Sequence, residues 1–301
     1  MAAAIIVEGL RKSYGPVQAV TGVSFEVDEG EVFALLGPNG AGKTTTVEVL
    51  EGFRSRDAGR VTVLGIDPGG RAGERLLRVR TGVVLQELAV EPFLTVREVL
   101  TRNAGYYPAP RPVEEVIALV GLEEKASTRV KHLSGGQQRR LDLGLGIIGN
   151  PELIFMDEPT TGFDPSARRG AWELVRLLTR GGTTVLLTTH YMDEAEALAD
   201  RVAVVARGRV VAQGDPASLG GRDVGEATVR FRLPPGTSPT ELPLLPAHLD
   251  GDMVEVRTTD EVRALHELTG WALARGADLA GLTVTRMTLE DVYLQLTAAD
   301  G

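Results

Sequence analysis

The segment Gly37-Pro38-Asn39-Gly40-Ala41-Gly42-Lys43-Thr44 has the glycine and lysine spacing of a phosphate-binding loop. Glycines in such a loop let backbone N–H groups close around phosphate oxygens, and its lysine reaches the β and γ phosphates. The apolar run 32–36 predicts a buried strand before the segment, and residues 44–50 predict a helix after it. Because a helix N-terminus favours anions, this context predicts nucleotide binding and disfavours the structural alternative, a glycine-rich turn.

Two further sites carry groups that could act on a bound phosphate. Asp157 and Glu158 follow the apolar run 153–156, and His190 follows the run 184–189. A carboxylate at a strand exit can hold a metal ion or polarise water, and a histidine can hydrogen-bond a phosphate. Taken alone, each has a simpler interpretation: solvated acids at a strand end, and an exposed histidine at the start of a helix.

The pentapeptide Leu133-Ser134-Gly135-Gly136-Gln137 lies between these groups and resembles the signature of the ATP-binding cassette (ABC) family. The resemblance continues as an ordered series of motifs over about the first 220 residues. It implies an α/β fold of the P-loop NTPase class, with a mixed sheet core, a β-rich opening segment and an inserted helical lobe at about residues 87–140. In this context the loop and the two acids are expected to bind and hydrolyse ATP with Mg²⁺.

The resemblance implies a role for each polar group of the series. Glu158 is expected to polarise the attacking water with support from His190, and Gln86 is expected to sense the γ-phosphate. The expected catalytic residues are Lys43, Gln86, Glu158 and His190. The expected Mg²⁺ ligands are Thr44, Gln86 and Asp157. The expected nucleotide contacts are Tyr14, Gly37, Asn39, Gly40, Gly42, Lys43, Thr44 and Thr45, with Ser134, Gly136 and Gln137 of a neighbouring subunit.

Three of the residues matched by the resemblance also have ordinary structural interpretations. Gln86 ends the apolar run 83–85 and, without the series, would be a polar strand end. Tyr14, expected to stack on adenine, could serve packing alone. Asp164 matches a loop at the family's subunit boundary and equally predicts a helix cap before Pro165.

The elements that must position these groups can be predicted from periodicity. Alternation over 23–27 predicts an antiparallel opening segment, whereas the continuous runs 153–156 and 184–187 are typical of a buried parallel sheet. The run Thr95-Val96-Arg97-Glu98 is a capping box, and a helix over 112–120 is expected to stop at Gly121.

After Ser134, the apolar residues Leu141, Leu145 and Ile148 predict a helix with one buried face, which leaves the signature at its N-terminus.

The cassette-like series ends near Pro216, so we expect an ATP-binding domain over 1–216 and a small accessory α+β domain over 217–301. Strand signals occur at 229–233 and 254–256 of the second domain. Helices are expected to begin near Thr258, with Glu261, and near Thr288, with Asp291. The proline-rich stretch 234–246 is expected to be a loop.

The composition of the chain excludes or disfavours several classes of function. The chain has 301 residues, a formal charge of −9 and no cysteine, so it offers no overall attraction for nucleic acid and no thiol chemistry. It shows no leader peptide and no run of about 18 apolar residues that would span a bilayer. If the protein serves a membrane, another chain must span it.

The resemblance therefore implies two partners. In the family, the signature of one subunit covers the γ-phosphate held by another, so a second ATPase subunit is expected, and a homodimer would suffice. A separate integral membrane permease is expected to bind the helical lobe near Phe93, Leu94 and Val96, which could equally be core residues. The chain is then expected to be cytoplasmic and peripheral on the inner face of the membrane.

The segments 82–87, 189–195 and 289–294 resemble the drug-resistance exporter branch, of the daunorubicin-resistance kind. An importer ATPase and a soluble, non-transport ABC ATPase are the alternatives. The importer alternative shares the catalytic cassette. The soluble alternative is disfavoured because this chain has a single acidic cassette and no long coiled coil.

Overall fold

The structure, a computed structural model, describes residues 2–84, 90–221, 226–244 and 248–298. It divides into two compact units, Met1–Pro216 and Ala217–Gly301. Each unit combines sheets with helices. Within the described part of the chain, no helix is both long and apolar enough to cross a bilayer.

The first unit mixes strands and helices along the chain. Its strands are β1 (Ala3–Tyr14), β2 (Val17–Asp28), β3 (Val32–Leu36), β4 (Ala58–Val63), β5 (Thr81–Val84), β6 (Leu153–Asp157), β7 (Thr184–Thr189), β8 (Arg201–Ala206) and β9 (Arg209–Gly214). Its helices are α1 (Lys43–Leu50), α2 (Arg71–Arg80), α3 (Val96–Ala104), α4 (Val113–Leu119), α5 (Gly135–Ile147), α6 (Pro165–Arg180) and α7 (Met192–Leu198).

Strands β1, β2 and β4 form an antiparallel sheet in the order β2-β1-β4. Val23, Phe25 and Val27 are buried along β2 and alternate with more exposed neighbours, as a strand with one apolar face requires. The β-rich opening segment predicted from this alternation is confirmed.

The second sheet has six strands in the order β5-β6-β7-β3-β8-β9. Neighbouring strands are parallel except β9, which is antiparallel to β8. Strands β3, β6 and β7 are almost wholly buried, which explains their continuous apolar sequences. Because these three strands are adjacent and parallel, the segments that follow them emerge side by side at one edge of the sheet.

The two sheets share one apolar core. The ring of Phe25 on β2 stacks on the ring of Phe33 on β3, with centroids 5.3 Å apart and planes 14° from parallel. Val47 and Leu50 on α1 join the same core. This packing fixes the helix that follows the phosphate loop against both sheets.

Helices α3, α4 and α5 pack on one another in the helical lobe. The predicted capping box is confirmed, because Thr95 Oγ1 accepts from the Glu98 backbone and the Glu98 carboxylate accepts from the Thr95 backbone. Helix α4 ends one residue before Val120, and Gly121 has a φ of 64°, a conformation that suits glycine. Val96 is core, whereas the side chain of Phe93 is 66% exposed.

The helix predicted after Ser134 is α5, and its predicted face is buried at Leu141 and Ile148 but only partly at Leu145. Burial extends beyond that face, because Asp142, Leu143 and Ile147 on other sides are buried too. The helix packs between β5 and the rest of the helical lobe, so neighbours surround most of its length.

The second unit is an antiparallel sheet with helices. Its strands are β10 (Ala227–Arg232), β11 (His248–Asp250), β12 (Met253–Thr258) and β13 (Thr283–Arg286), in the order β11-β12-β10-β13. Its helices are α8 (Glu261–Arg275) and α9 (Leu289–Ala298). Val229, Phe231, Val254 and Leu268 form its core. The proline-rich stretch includes a one-turn 3-10 segment at Pro239–Glu241.

The two predicted helix starts in this unit have different outcomes. Thr288 and Asp291 cap each other's backbone N–H before α9, as predicted. For α8 the predicted cap at Thr258 is wrong, because the Asp260 carboxylate accepts from the Arg263 backbone. Thr258 Oγ1 instead accepts from the Asp260 backbone, in the turn before the helix.

Candidate functional site

The phosphate loop joins β3 to the N-terminus of α1. Gly40 and Gly42 have φ values of 81° and 101°, in the left-handed region that glycine adopts without strain. A Cβ on Gly42 would lie 2.4 Å from the Ala19 carbonyl oxygen, so only glycine fits where the loop passes β2. Asn39 and Thr44 are exposed, and Thr45 is half-buried at the start of α1.

Lys43 lies inside this loop. Its ammonium donates to the carbonyl oxygens of Gly37 at 2.7 Å and Pro38 at 3.1 Å. Burial lowers the pKa of Lys43, and the negative charges of Glu158 and Asp157 oppose that shift. The cation therefore belongs to the same electrostatic site as the two acids, although it comes from a different strand end.

Asp157 is the last residue of β6 and Glu158 follows it, next to the end of β7. The Thr188 hydroxyl donates to the Asp157 carboxylate. One carboxylate oxygen of Glu158 lies 3.1 Å from His190 Nδ1, and the other accepts from the Thr161 hydroxyl at 3.2 Å. Both oxygens of the Glu158 carboxylate thus have a hydrogen-bond partner, which holds the group in one orientation.

The backbone at Glu158 is unusual. Its φ is 47°, a left-handed conformation that a residue with a side chain rarely adopts. Its N–H donates to the Thr188 carbonyl at 3.1 Å and approaches the Thr188 hydroxyl at 3.2 Å. Strain of this kind persists only when the surroundings fix it, and it is concentrated at functional sites.

The signature residues form the N-terminus of α5. Ser134 Oγ accepts from the Gln137 backbone at 3.3 Å, and Gln137 Oε1 accepts from the Ser134 backbone at 3.0 Å. A Cβ on Gly135 or Gly136 would meet nothing within 4 Å, so this end of the helix faces open space. Within one chain, the structure brings together the loop, the acids and His190, while the signature presents an exposed surface.

Three other predicted residues have different placements. Tyr14 is half-exposed at the end of β1, with Lys12 Nζ 5.6 Å and the Arg54 guanidinium 5.8 Å from its ring centroid. The Asp164 carboxylate accepts from the Ser166 and Ala167 backbones, both at 2.8 Å, so the predicted cap of α6 is present. Gln86 lies outside the described residues.

The sequence analysis did not predict the polar groups that hydrogen-bond to Asp157 and to the segment that follows it. Thr188 holds Asp157, the Arg139 guanidinium contacts the segment 157–159, and the buried Glu194 carboxylate accepts from the Thr160 hydroxyl at 2.8 Å. Only Thr188 has a sequence signal, because it is a polar residue that continues the apolar run 184–187. Such a signal does not say what the residue touches.

This fold and this loop define an α/β nucleotide-binding protein of the P-loop class. Residues 20–161 match the family model described as ABC transporter, and residues 227–288 match one described as ABC transporter domain-containing protein-like, C-terminal domain. A solved structure described as an ATP-binding subunit of an ABC transporter superposes with a TM-score of 0.65 at 27% identity, covering 71% of this chain and 91% of that one.

Curated relatives match along nearly the whole chain. The Nod factor export ATP-binding protein I of Rhizobium sp. (strain N33) is 41% identical, with 99% of this chain and 98% of the relative covered. The daunorubicin resistance ATP-binding protein DrrA3 of Streptomyces coeruleorubidus is 38% identical, with 99% and 96% covered. The chain therefore belongs to the ATP-binding subunits of ABC transporters, and it is an ATPase of that family.

Proposed function

We propose that this chain is the ATP-hydrolysing subunit of an ABC exporter, in which ATP-driven association of two cassettes drives transport by a separate membrane permease. The observation that carries the catalytic part is the placement of Glu158, with His190 Nδ1 3.1 Å from its carboxylate, at the edge of the sheet where β3 leads into the phosphate loop. The relatives named for Nod factor export and daunorubicin resistance support export over import. Efflux of a drug or antibiotic is the corresponding proposal for the cargo.

The nucleotide is bound by the loop and its flanks. Backbone N–H groups of the loop from Gly37 to Thr45 surround the phosphates, and Lys43 exchanges its bonds to loop carbonyls for bonds to phosphate oxygens. Tyr14 stacks on the adenine, because its half-exposed ring lies at the tip of the β1–β2 hairpin, which passes Gly42 of the loop at Ala19. A solved cassette at 27% identity is described as an ADP conformation, in agreement with a nucleotide ligand.

Thr44 and Asp157 fit a Mg²⁺ ion because they offer a hydroxyl and a carboxylate, which are hard oxygen ligands. Thr44 is exposed at the N-terminus of α1, and the Thr188 hydroxyl holds the Asp157 carboxylate in place. Gln86 is the third proposed ligand and lies outside the described residues. Mg²⁺, when bound, neutralises charge on the β and γ phosphates.

Hydrolysis requires a base that orients water at the γ-phosphate. Glu158 performs this role, because Thr161 and His190 fix both of its carboxylate oxygens. His190 supports Glu158 and donates to the γ-phosphate, and Lys43 stabilises the developing charge on the phosphate oxygens. Because the backbone at Glu158 is left-handed, its side chain points in a different direction from that of a residue in an extended strand.

A second copy completes each site. Ser134, Gly136 and Gln137 lie at an exposed helix N-terminus, which suits an anion, and they contact the nucleotide held by the other subunit. Because one chain carries both the loop and the signature, a homodimer forms two complete sites. Nucleotide binding then brings two cassettes together, and hydrolysis releases them.

The permease binds the helical-lobe side of the first unit. Phe93 is exposed there, and a groove of about 720 Å³ is lined in part by the exposed rings of Phe53 and Tyr106. Exposed aromatic residues of this kind are typical of protein interfaces. We place the chain at the inner, cytoplasmic face of the membrane on this basis.

Replacement of Glu158 by Gln tests the proposed base. The amide keeps the shape of the side chain but cannot accept a proton, so we expect ATP hydrolysis to fall by about 10²–10⁴-fold while ATP binding is retained. Single-turnover hydrolysis and nucleotide titration measure the two effects. Hydrolysis within a few-fold of the unmodified chain would remove Glu158 from the role of base. Purification of the complex from native membranes tests the exporter assignment, which fails if no integral membrane protein co-purifies.

A further inference from the structure

Arg139 lies in the second turn of α5, and its guanidinium points away from solvent toward the loop that follows β6. The side chain is only 9% exposed. Its Nε donates to the Pro159 carbonyl at 3.1 Å, and its Nη2 donates to the carbonyls of Asp157 at 3.2 Å and Glu158 at 2.9 Å. One side chain therefore binds three consecutive carbonyl groups, including the carbonyl of the proposed base.

A buried guanidinium requires compensation for its lost hydration. Asp142, one turn along α5, accepts from Arg139 Nη1 at 2.7 Å, and Glu194 on α7 contributes a further nearby negative charge. Burial raises the pKa of the Asp142 carboxyl to about 6, although the adjacent Arg139 opposes the shift. Replacing such a pair by apolar residues commonly leaves stability unchanged or improves it, so its presence here indicates a use beyond stability.

The role of Arg139 is indicated by the backbone segment that it contacts. Glu158 has the left-handed φ of 47°, which needs bonds on both sides to persist. Thr188 on β7 accepts from the Glu158 N–H, and Arg139 donates to the Glu158 carbonyl. The peptide groups on both sides of the Glu158 Cα are thus fixed, and with them the direction in which its carboxylate points.

Arg139 also connects two parts of the proposed mechanism. Ser134 and Gly136, which face the nucleotide of the other subunit, belong to the same rigid helix, within five residues of Arg139. We propose that Arg139 is a positioning residue that fixes the orientation of Glu158 in its own chain and makes that orientation depend on the position of the signature helix. This proposal rests on the role of Glu158 given above and adds a residue that acts through it.

The test is a set of variants of the chain, assayed in its permease complex. With Arg139→Met, we expect kcat for ATP hydrolysis to fall by about 10- to 100-fold, since a small displacement of a catalytic group has an effect of this size. Nucleotide affinity and KM should stay within about threefold, because the contacts described for Arg139 are with the carbonyls of residues 157–159 and with Asp142, and none of these groups is proposed to bind phosphate. An equal loss of affinity would contradict a positioning role.

The control is Arg140→Met on the same helix. Arg140 donates to the Gly121 carbonyl at 3.4 Å and to none of residues 157–159. This variant should keep kcat within about twofold, since it removes the same charge from the helix without touching the segment of Glu158. Arg139→Lys preserves the charge opposite Asp142 but offers fewer directed donors, so its kcat should lie between those of Arg139→Met and the unmodified chain.

Folding is separated from positioning by a double variant. Arg139→Met leaves Asp142 buried without its partner and can lower the melting temperature. Arg139→Met combined with Asp142→Asn removes both charges and should recover the melting temperature, while kcat stays low because the three carbonyls still lack their donor. Recovery of kcat together with stability would overturn the proposal.

A double-mutant cycle with Glu158→Gln decides whether Arg139 acts through Glu158. If Arg139 acts only by orienting Glu158, it has no effect once Glu158 has been replaced. In the Glu158→Gln variant, Arg139→Met should therefore change the residual hydrolysis less than about threefold. An undiminished 10- to 100-fold effect would overturn the proposal. If Glu158→Gln alone hydrolyses ATP normally, the proposed base is wrong. If Glu158→Gln is inactive and Arg139→Met is fully active, only the role of Arg139 is wrong.

Discussion

The first unit, Met1–Pro216, buries the charged side chains of Lys43, Arg139, Asp142 and Glu194, whereas no charged residue in the described part of the second unit is buried. Both units are sheets covered by helices, so the architecture alone does not require this difference. Buried charge is costly unless it is paired and hydrogen-bonded. The buried charges are concentrated in the first unit. We infer that they lower the stability of that unit and serve its catalytic site.

The second unit has the opposite character. Val229, Phe231, Val254 and Leu268 make a small apolar core between its sheet and α8, and its ion pairs, such as Arg230 with Glu255, lie at its surface. Such pairs contribute little to stability. We infer that the apolar core, rather than the ion pairs, holds this unit together.

Among the variants that test this difference between the two units, Leu268→Ala is expected to have the largest effect. Leu268 is fully buried in the core of the second unit, so its truncation should destabilise that unit by about 2–5 kcal/mol. ATP hydrolysis by the folded chain should change less than about twofold, because the catalytic groups lie in the first unit. Calorimetric unfolding and steady-state hydrolysis measure the two quantities.

The matched control is Leu273→Ala, which removes the same side chain from the same helix. Leu273 is 83% exposed, so its loss should change stability by less than about 0.5 kcal/mol. Hydrolysis that falls in step with the stability of Leu268→Ala would break the distinction between a chemical unit and a packing unit.

Glu51→Gln tests the idea that the first unit gives up stability by burying charge. Burial raises the pKa of the Glu51 carboxyl to about 8, and the charges of Asp157 and Glu48 add to the shift. The folded chain therefore holds a proton that the unfolded chain has lost between pH 4.5 and about pH 8. The associated stability is complete below pH 4.5 and is lost as the pH rises through 8.

A glutamine at position 51 does not titrate, so the variant should be more stable than the unmodified chain by about 1–3 kcal/mol at pH 8–9 and by much less at pH 5. Denaturant unfolding at the two pH values measures this difference. Glu115→Gln is the control, since Glu115 pairs with Arg111 at the surface, does not contribute to the shift at Glu51 and should show no such gain at high pH. A Glu51→Gln gain that does not depend on pH would contradict the assignment.

Local sequence signals predicted much of this fold. The loop glycines, the capping box at Thr95 and the cap at Asp164 each depend on contacts within a few residues, and the structure contains them. The continuous apolar strands β6 and β7 were predictable because a parallel sheet buries both of its faces.

The missed features depend on contacts far apart in sequence. Arg139 is about 20 residues from the carbonyls it binds, and Thr188 is 31 residues from Asp157. Periodicity predicted only part of the burial of α5, since the remaining buried positions depend on what packs around the helix rather than on its own pattern. The cap at Asp260 was missed because Thr258 and Asp260 both suit a helix start, and only the backbone geometry distinguishes them.

The account depends most on a nucleotide held between two copies, and a disulfide cross-link tests that arrangement directly. The chain has no cysteine, so Ser134→Cys in one copy and Asn39→Cys in the other would be the only thiols, both at exposed positions. In the Glu158→Gln background, we predict an oxidant-dependent covalent dimer that forms with ATP and not without it. Leu273→Cys in place of Ser134→Cys should give none. Absence of the Ser134 to Asn39 cross-link while ATP is bound would contradict the account.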